Sequence, residues 1–429
     1  MVKQFLFIIV LMLTLGIFAY TIRKLLLIFK LTKTFPIKDF GKRFLIMLKI
    51  AIGQTKIFRK PVTGLMHALV FWGFCVITIG SLEMVIDGIS GSERVFSSMG
   101  IFYNFIMASD DIFALIVLIM ILLFIGRRLF LKIKRFTGIE MSHKNHLDAY
   151  IALSMIMLLM ISLLGMNIFY LGTVLEVKGA YPVSSIFAAL FTNINVETQH
   201  FLYKFFWWMH ILLIFTFANM LPYSKHFHVF LSVPNVFLSR LEPLGKLYNM
   251  ENVTKEVKLM MNPETAFAAS DSIPERFGVK DAEDVNWKNY FDALCCTQCG
   301  RCTDVCPANI TGKKLSPRKL MMDLRERMNE KAPGILKNGN EYNDNKSLIK
   351  DYFTAEEIWA CTTCNACANE CPVNINHPSL IIDMRRYLVM EESSAPSGIK
   401  AAITNVENNG APWQYSPDDR ILWTREINL

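Results

Sequence analysis

The chain has 429 residues, 52% hydrophobic and only 19% charged, with 45 Lys and Arg against 37 Asp and Glu for a net charge of +8. So few charges at this length exclude an all-soluble protein and a disordered chain alike. Nine of the ten cysteines fall between Cys295 and Cys371, which excludes an evenly stapled secreted scaffold and points to a soluble metal-binding part joined to a membrane part.

Five apolar runs, 4–22, 62–86, 111–126, 149–171 and 202–221, approach the roughly 20 residues that a helix needs to cross about 30 Å of hydrocarbon. The third is the shortest. Lys3 ahead of the first run resembles the start of a signal peptide, but no small-x-small cleavage pattern follows, so the run reads as a retained span. The stretch 23–60 carries eleven Lys or Arg against Asp39 alone, and 127–147 carries six against Glu140, whereas the other side has only Lys3, Arg94, Lys178 and Lys204. Seventeen against four predicts an N-terminus outside the cell inner membrane and a cytoplasmic chain after the fifth span. The same basic bias attracts anionic headgroups, at about 1 kcal/mol per residue near the surface, and it carries no nucleic-acid reading.

Ionisable residues inside spans are functional candidates. His67 lies in the second span and His210 in the fifth, with His226 and His228 just beyond. A low-spin haem b takes two axial histidines from facing helices. His210 and His228 are eighteen residues apart, which on a continuous helix is five turns at about 3.6 residues per turn, provided Pro222 does not interrupt it. Measured from Pro61 and Pro222 at about 1.5 Å per residue, His67 is about 9 Å inside, His210 about 18 Å inside and His228 about 9 Å outside, so depth leaves either as the partner of His67. For His210 a buried, hydrogen-bonded side chain is the alternative. The two-residue offset of His226 from His228 turns it to the surface, and His143, His146 and His377 read as loop or interfacial positions. Cys75, in the second span, reads as a small packing residue. Glu83 and Asp87 near the outer end of the second span, and Asp110 and Asp111 at the third, have the chemistry to exchange protons with a quinone, although a solvated rim, which needs no special pairing, is the reading favoured here. His200, at the outer start of the fifth span, is the other candidate for a quinone site with Glu83.

The segment His210–Val229, HILLIFTFANMLPYSKHFHV, together with GLMHALVFWGF in the second span, resembles the cytochrome b subunit of respiratory nitrate reductases, a five-span protein with its N-terminus outside. The resemblance implies that His67 and His228 ligate the haem b nearer the cytoplasm. In that family a second histidine follows ten residues on in the second span, and here that position is Ile77. One haem is therefore expected and a second is possible, with His210 its ligand or a substitute in the first.

Cys296, Cys299, Cys302 and Cys306, then Pro307, form C-x2-C-x2-C-x3-C-P, and Cys361, Cys364, Cys367 and Cys371, then Pro372, repeat it. Three thiolates at i, i+3 and i+6 wrap one cubane while the fourth cysteine reaches the other. The first [4Fe-4S] cluster is thus expected on Cys296, Cys299, Cys302 and Cys371, and the second on Cys361, Cys364, Cys367 and Cys306. Structural zinc needs only four ligands and does not explain this pattern twice. Between the motifs the spacing predicts a helix over 316–329 with Pro317 in its first turn, and another over 378–391 follows the second motif. Cys295, beside the first ligand, reads as a bystander. This half resembles the small iron-sulfur subunit of heterodisulfide reductases. The stretch 408–423, NNGAPWQYSPDDRILW, resembles the segment that in longer relatives leads into a domain with paired Cys-Cys-Gly motifs. No cysteine follows Cys371, so the resemblance implies that such a domain comes from another chain.

The expected fold class is all-α: a five-helix transmembrane bundle over 1–230, a linker over 231–290, an α-helical two-cluster ferredoxin domain over 291–392 in the reducing cytoplasm, and a partner-docking tail over 393–429. The expected function is that of a membrane-bound electron-transfer subunit of a quinone-linked oxidoreductase, with no catalytic residue of its own. It would connect a cytoplasmic partner, either a Cys-Cys-Gly protein or an electron-transfer flavoprotein, with the (mena)quinone pool through two [4Fe-4S] clusters and haem b. The alternative is a membrane-anchored iron-sulfur redox sensor or docking subunit without quinone chemistry, which needs no histidine pair in the membrane. A transporter is not indicated, since the spans show no repeat.

Overall fold

The computed structural model describes residues 2–131, 133–138, 140–262, 276–339 and 341–427, and the regular elements among them are all helical. Five helices are long and apolar enough to cross a membrane: α1 Val2–Phe29, α2 Pro61–Ser90, α3 Ile101–Phe130, α4 His143–Leu171 and α5 Val196–Met220. At about 1.5 Å per residue, the 30 residues of α2 or α3 reach about 45 Å and outrun the hydrocarbon core. Local chemistry sets their ends. Pro61 opens α2, where its missing N–H loses nothing, and Gly91 closes it at φ 75° with its N–H returned to the Asp87 carbonyl at 2.8 Å. The Asn195 side chain caps α5 by accepting from the Thr198 N–H at 2.8 Å.

The third span differs from its prediction. Asp110 and Asp111 lie inside α3 and are buried, and the helix begins ten residues before the predicted run, at Ile101. Two acids can sit there because Asp111 is fully engaged. It accepts from the Val183 and Ser184 N–H groups at 2.8 and 2.9 Å, from Asn167 Nδ2 at 3.3 Å and from the Ser184 hydroxyl. These donors anchor a short helix, Pro182–Ala188, between α4 and α5. Glu83 is buried as well, so of the four acids at this end only Asp87 is part-exposed, and the solvated-rim reading fails for the other three.

In the bundle α4 packs along α5 and α3, α2 along α3, and α1 lies against α2 and α5. Gly73 permits the α2–α3 approach: a Cβ there would stand 2.5 Å from a Val117 methyl. Gly73 and Ile77 are buried on this face, which leaves Cys75 exposed on the opposite one rather than in a packed position.

Beyond the bundle, α6 Trp287–Cys295, α7 Pro317–Asn338 and α8 His377–Met390 frame the cysteine-rich domain. The stretch 231–290 holds the end of helix His228–Phe237, the helix Glu251–Met261 and the start of α6, while its residues 263–275 lie outside the described residues. Helix α7 runs past its predicted end because its apolar stripe continues: Leu320, Leu324, Met328, Ala332 and Ile335 are all buried.

The domain sits on the end of the bundle that carries the basic loops. Ile28 shares one apolar core with Tyr290, Leu294 and Leu324. The Phe29 ring lies 5.0 Å from that of Tyr290, and Phe35 stands edge-on to Trp287 at 5.7 Å. Such burial contributes about 1.5–3 kcal/mol per large side chain. Arg318 pairs with Glu140 at 2.7 Å with both side chains nearly inaccessible, Arg301 donates to the Lys56 carbonyl at 3.0 Å, and Arg59 donates to the Asn369 carbonyl at 2.7 Å. Of these donors Arg59 belongs to the basic loops, so part of the loop excess serves the domain interface rather than topology and headgroups alone. At the far end, helix Ser397–Asn409 buries none of its residues, and Trp413, Tyr415 and Trp423 are exposed.

Candidate metal centres and membrane cavity

Each cysteine motif starts where a helix stops. Helix α6 ends at Cys295 and Cys296 turns extended (φ −62°, ψ 116°); helix Ala355–Ala360, held by a Thr354/Glu357 capping box, ends before Cys361 (φ −70°, ψ 122°). The third and fifth residues of both loops are left-handed: Gln298 (56°) and Gly300 (75°) in the first, Thr363 (55°) and Asn365 (60°) in the second. Positive φ is uncommon outside glycine, so its recurrence at matched positions shows one backbone wrap made twice. A short helix follows in each case, Arg301–Asp304 or Ala366–Glu370, and then the fourth cysteine is extended again, Cys306 at φ −76° and Cys371 at φ −64°.

The fourth cysteine of each motif stands with the other motif's triplet. Cys371 lies within electrostatic reach of Cys299, Cys296 and Cys302, and Cys306 within reach of Cys361 and Cys367. Three cysteines of one motif joined by the fourth of the other is the ligand grouping of a two-cluster ferredoxin. Burial pushes the Cys367 and Cys371 thiols up to about 12 and Cys295 well above its ordinary value. Loading a cluster must therefore displace thiol protons.

Two arginines that the motif spacing does not reveal complete the symmetry. From α7, Arg325 Nη2 donates to the Cys296 carbonyl at 2.9 Å; from α8, Arg385 donates to the Ile358 carbonyl at 2.8 Å and to that of Cys361. Each guanidinium clamps the first cysteine of a motif and brings a positive charge to it. Lys56 adds a third cation at the interface, donating to the Cys371 carbonyl at 3.2 Å.

Between α2, α5 and the cysteine-rich domain lies a cavity of about 570 Å³. His67, His210, His226 and His228 all line it, as do Arg127, Arg128 and Arg135, and Cys299 and Arg301 of the first motif reach its wall. His228 Nδ1 is 3.2 Å from the Lys225 carbonyl, and His210 Nδ1 is 3.0 Å from the Leu159 carbonyl and 2.9 Å from Ser162 Oγ. His210 Nε2 and His67 Nδ1 are buried without a partner. A ring with one nitrogen pinned by a carbonyl and the other unpaired is the usual preparation of a metal-ligating histidine. His67 and His228 are close enough to interact electrostatically.

Several expectations need correction. Pro222 does end the helix: α5 stops at Met220, and two 3-10 turns, Leu221–Tyr223 and Lys225–Phe227, precede the next helix at His228. The five-turn separation of His210 and His228 therefore does not apply. The tight turn also brings His226 onto the cavity, 5.9 Å from the His228 ring, instead of to the surface. His377 is neither loop nor interfacial but the buried first residue of α8, where burial pushes its imidazole down to about 3 and keeps it neutral. Glu83 and His200 do not line the cavity. Glu83 accepts from Tyr103 and from the Phe96 N–H, and His200 is exposed beside Tyr203. Ile77 lines the cavity wall.

Residues 295–375 match the family described as 4Fe-4S dicluster domain. Over 98% of its length the chain is 29% identical to the probable iron-sulfur-binding oxidoreductase FadF of Bacillus subtilis, covering 60% of that protein. Over 88% of its length it is 29% identical to the EtfAB:quinone oxidoreductase of Syntrophomonas wolfei, covering 53% of it. A quarter of the chain is 30% identical to one polypeptide of the ferredoxin/F(420)H(2)-dependent CoB-CoM heterodisulfide reductase of Methanosarcina acetivorans, covering 52% of that polypeptide. The chain thus spans between half and two thirds of the first two relatives, and no solved structure matches it. It carries a dicluster 4Fe-4S ferredoxin domain beside five apolar helices and is homologous to iron-sulfur oxidoreductases and heterodisulfide reductase subunits.

Proposed function

We propose that this chain is the membrane electron-transfer part of a quinone-linked iron-sulfur oxidoreductase, connecting a cytoplasmic redox partner with the membrane quinone pool. The observation that carries the reading is the shared wall: Cys299 and Arg301 of the first motif line the same cavity as His67, His210 and His228. The relative named for EtfAB and quinone supports the partner classes at both ends. An electron-transfer flavoprotein, or a protein with Cys-Cys-Gly motifs, would dock at the cysteine-rich domain and its exposed tail. The N-terminus would face outside and the domain the cytoplasm.

The residues divide the work. Cys296, Cys299, Cys302 and Cys371 would hold one [4Fe-4S] cluster, and Cys361, Cys364, Cys367 and Cys306 the other. His67 and His228 would hold haem b, with His210 as substitute or as ligand of a second. When bound, these groups supply reversible one-electron chemistry. The chain orients His228 and His210 through backbone carbonyls, and Arg127, Arg128 and Arg135 give the cavity a cationic end suited to haem propionates. The test is metal content and the reduced-minus-oxidised spectrum of the purified full chain. Eight irons in clusters plus at least one b-type haem, reducible by a quinol, are expected; a chain without a b-type spectrum sinks the reading.

A further inference from the structure

Asp110 and Asp111 are neighbours on α3, both buried, with opposite uses. Asp111 is saturated by four donors and anchors the Pro182–Ala188 helix. Asp110 is 3% exposed, and its Oδ1 is buried with no hydrogen-bond partner. An unpartnered carboxyl inside a bundle costs free energy and needs an explanation.

Its position offers one. Asp110 packs on Gly80 of α2, whose absent side chain leaves the room: a Cβ there would stand 3.2 Å from Oδ1. Ile77, about one turn before Gly80 on the same face of α2, lines the histidine cavity, as does Val117, about two turns after Asp110 on the buried face of α3. Toward the outer end lies a buried polar cluster. Glu83 accepts from Tyr103 Oη at 3.0 Å and from the Phe96 N–H at 2.9 Å, and Arg94 Nη1 stands 3.9 Å from Glu83 Oε2. The Arg94 guanidinium lies 4.6 Å over the Tyr170 ring, and its Nη2 is buried without a partner. The charged groups in electrostatic reach of Asp110 are Arg94, Asp111 and Glu83. The Arg94 backbone N–H donates to the part-exposed Asp87, at the outer rim. A protonatable carboxyl thus stands between the cavity wall and a cationic cluster that reaches the surface.

We infer that Asp110 carries protons between a quinone bound in the cavity and the outer Glu83–Arg94–Tyr103 cluster. The inference rests on the quinone reading above. On oxidation of a hydroquinone two O–H bonds break, two electrons leave one at a time to an oxidised one-electron acceptor, and two protons are released. An ionised Asp110, with the Arg94 charge in electrostatic reach, takes one proton at a time and gives it up outward. In the reverse direction the carboxylic acid donates to the reduced quinone oxygen and is refilled from outside.

The experiment uses the purified full chain with menadiol. Asp110→Asn should slow menadiol-driven bleaching of the iron-sulfur absorbance by roughly 10²-fold, leave reduction by dithionite unchanged, and remove a deuterium-sensitive carboxylic C=O band from the redox-induced infrared difference spectrum. Asp110→Glu, which keeps the group, should recover most of the rate. A wild-type rate and an unchanged infrared band in Asp110→Asn would overturn the inference while leaving the quinone reading intact. A wild-type chain that menadiol cannot reduce overturns the quinone reading and this inference with it.

Discussion

The two cysteine loops are near copies in backbone and opposites in surroundings. Both place left-handed residues third and fifth, and both have an arginine on the first cysteine's carbonyl. Yet the first loop is covered: Cys296 and Cys302 are buried, and Cys299 faces the membrane cavity. The second presents Cys364, Thr362 and Thr363 to solvent, next to the groove formed by Trp359, Ala360 and Pro396. Ligation is therefore duplicated while access is not. The first loop faces the cavity and the second faces solvent, the side left open to a partner under the proposed function.

The largest test of this contrast removes a shared ligand. Cys371→Ala should delete the cluster of the first triplet and spare that of the second, halving the cluster iron per chain; an unchanged cluster-iron count, or loss of the second triplet's paramagnetic signal instead of the first's, would break the cross-motif grouping. His67→Ala should abolish the b-type spectrum and perturb the paramagnetic signal of the first cluster, leaving the second unchanged. Exposure predicts that ferricyanide destroys the second cluster before the first, followed by loss of its electron paramagnetic resonance signal; the opposite order would reverse the assignment of sides. Arg325→Gln and Arg385→Gln should each lower the potential of their own cluster by on the order of tens of millivolts, because a positive charge near the thiolates is lost. Equal shifts of both potentials in either variant would show that the clamps do not act locally.

The smallest effect concerns the scaffold of the first loop. Arg327 of α7 pairs with Asp281 at 2.7 Å and with Asp344 at 2.6 Å, and this holds the Asp344 carboxyl down to about 2. A folded value below the unfolded one stabilises the domain above about 4, and that contribution is lost as pH falls towards 2. Asp344→Asn should therefore flatten the acid limb of a thermal-melting profile by a small amount and leave the neutral-pH clusters intact.

What the sequence made legible was what local spacing encodes: the spans, the two motifs and the helices after each. The rest depends on distant partners. Asp110 and Asp111 read as the edge of a span because the donors that satisfy Asp111, Asn167 and Ser184, come from other segments, and because Asp110 packs on Gly80 of another helix. Arg325 and Arg385 act on backbone carbonyls, which no cysteine pattern records. α-Helical spacing turns His226 outward, but the chain makes a 3-10 turn there. The basic loops were legible as a charge excess, but not as the donors that seat the domain.

The joint between the two halves also bears on biogenesis. Lys33, made early, exchanges backbone hydrogen bonds with the segment around Asn286, its N–H to the Val285 carbonyl and its carbonyl from the Trp287 N–H, both at 2.9 Å. Phe29 and Phe35 cover Tyr290, Trp287 and Phe291. The end of α1 must therefore wait through the synthesis of the whole bundle before its aromatic partners emerge, a closure of very long sequence separation that slows folding. A fragment cut free at residue 276 would expose that aromatic face to water, because the end of α1 completes the apolar core of the ferredoxin domain.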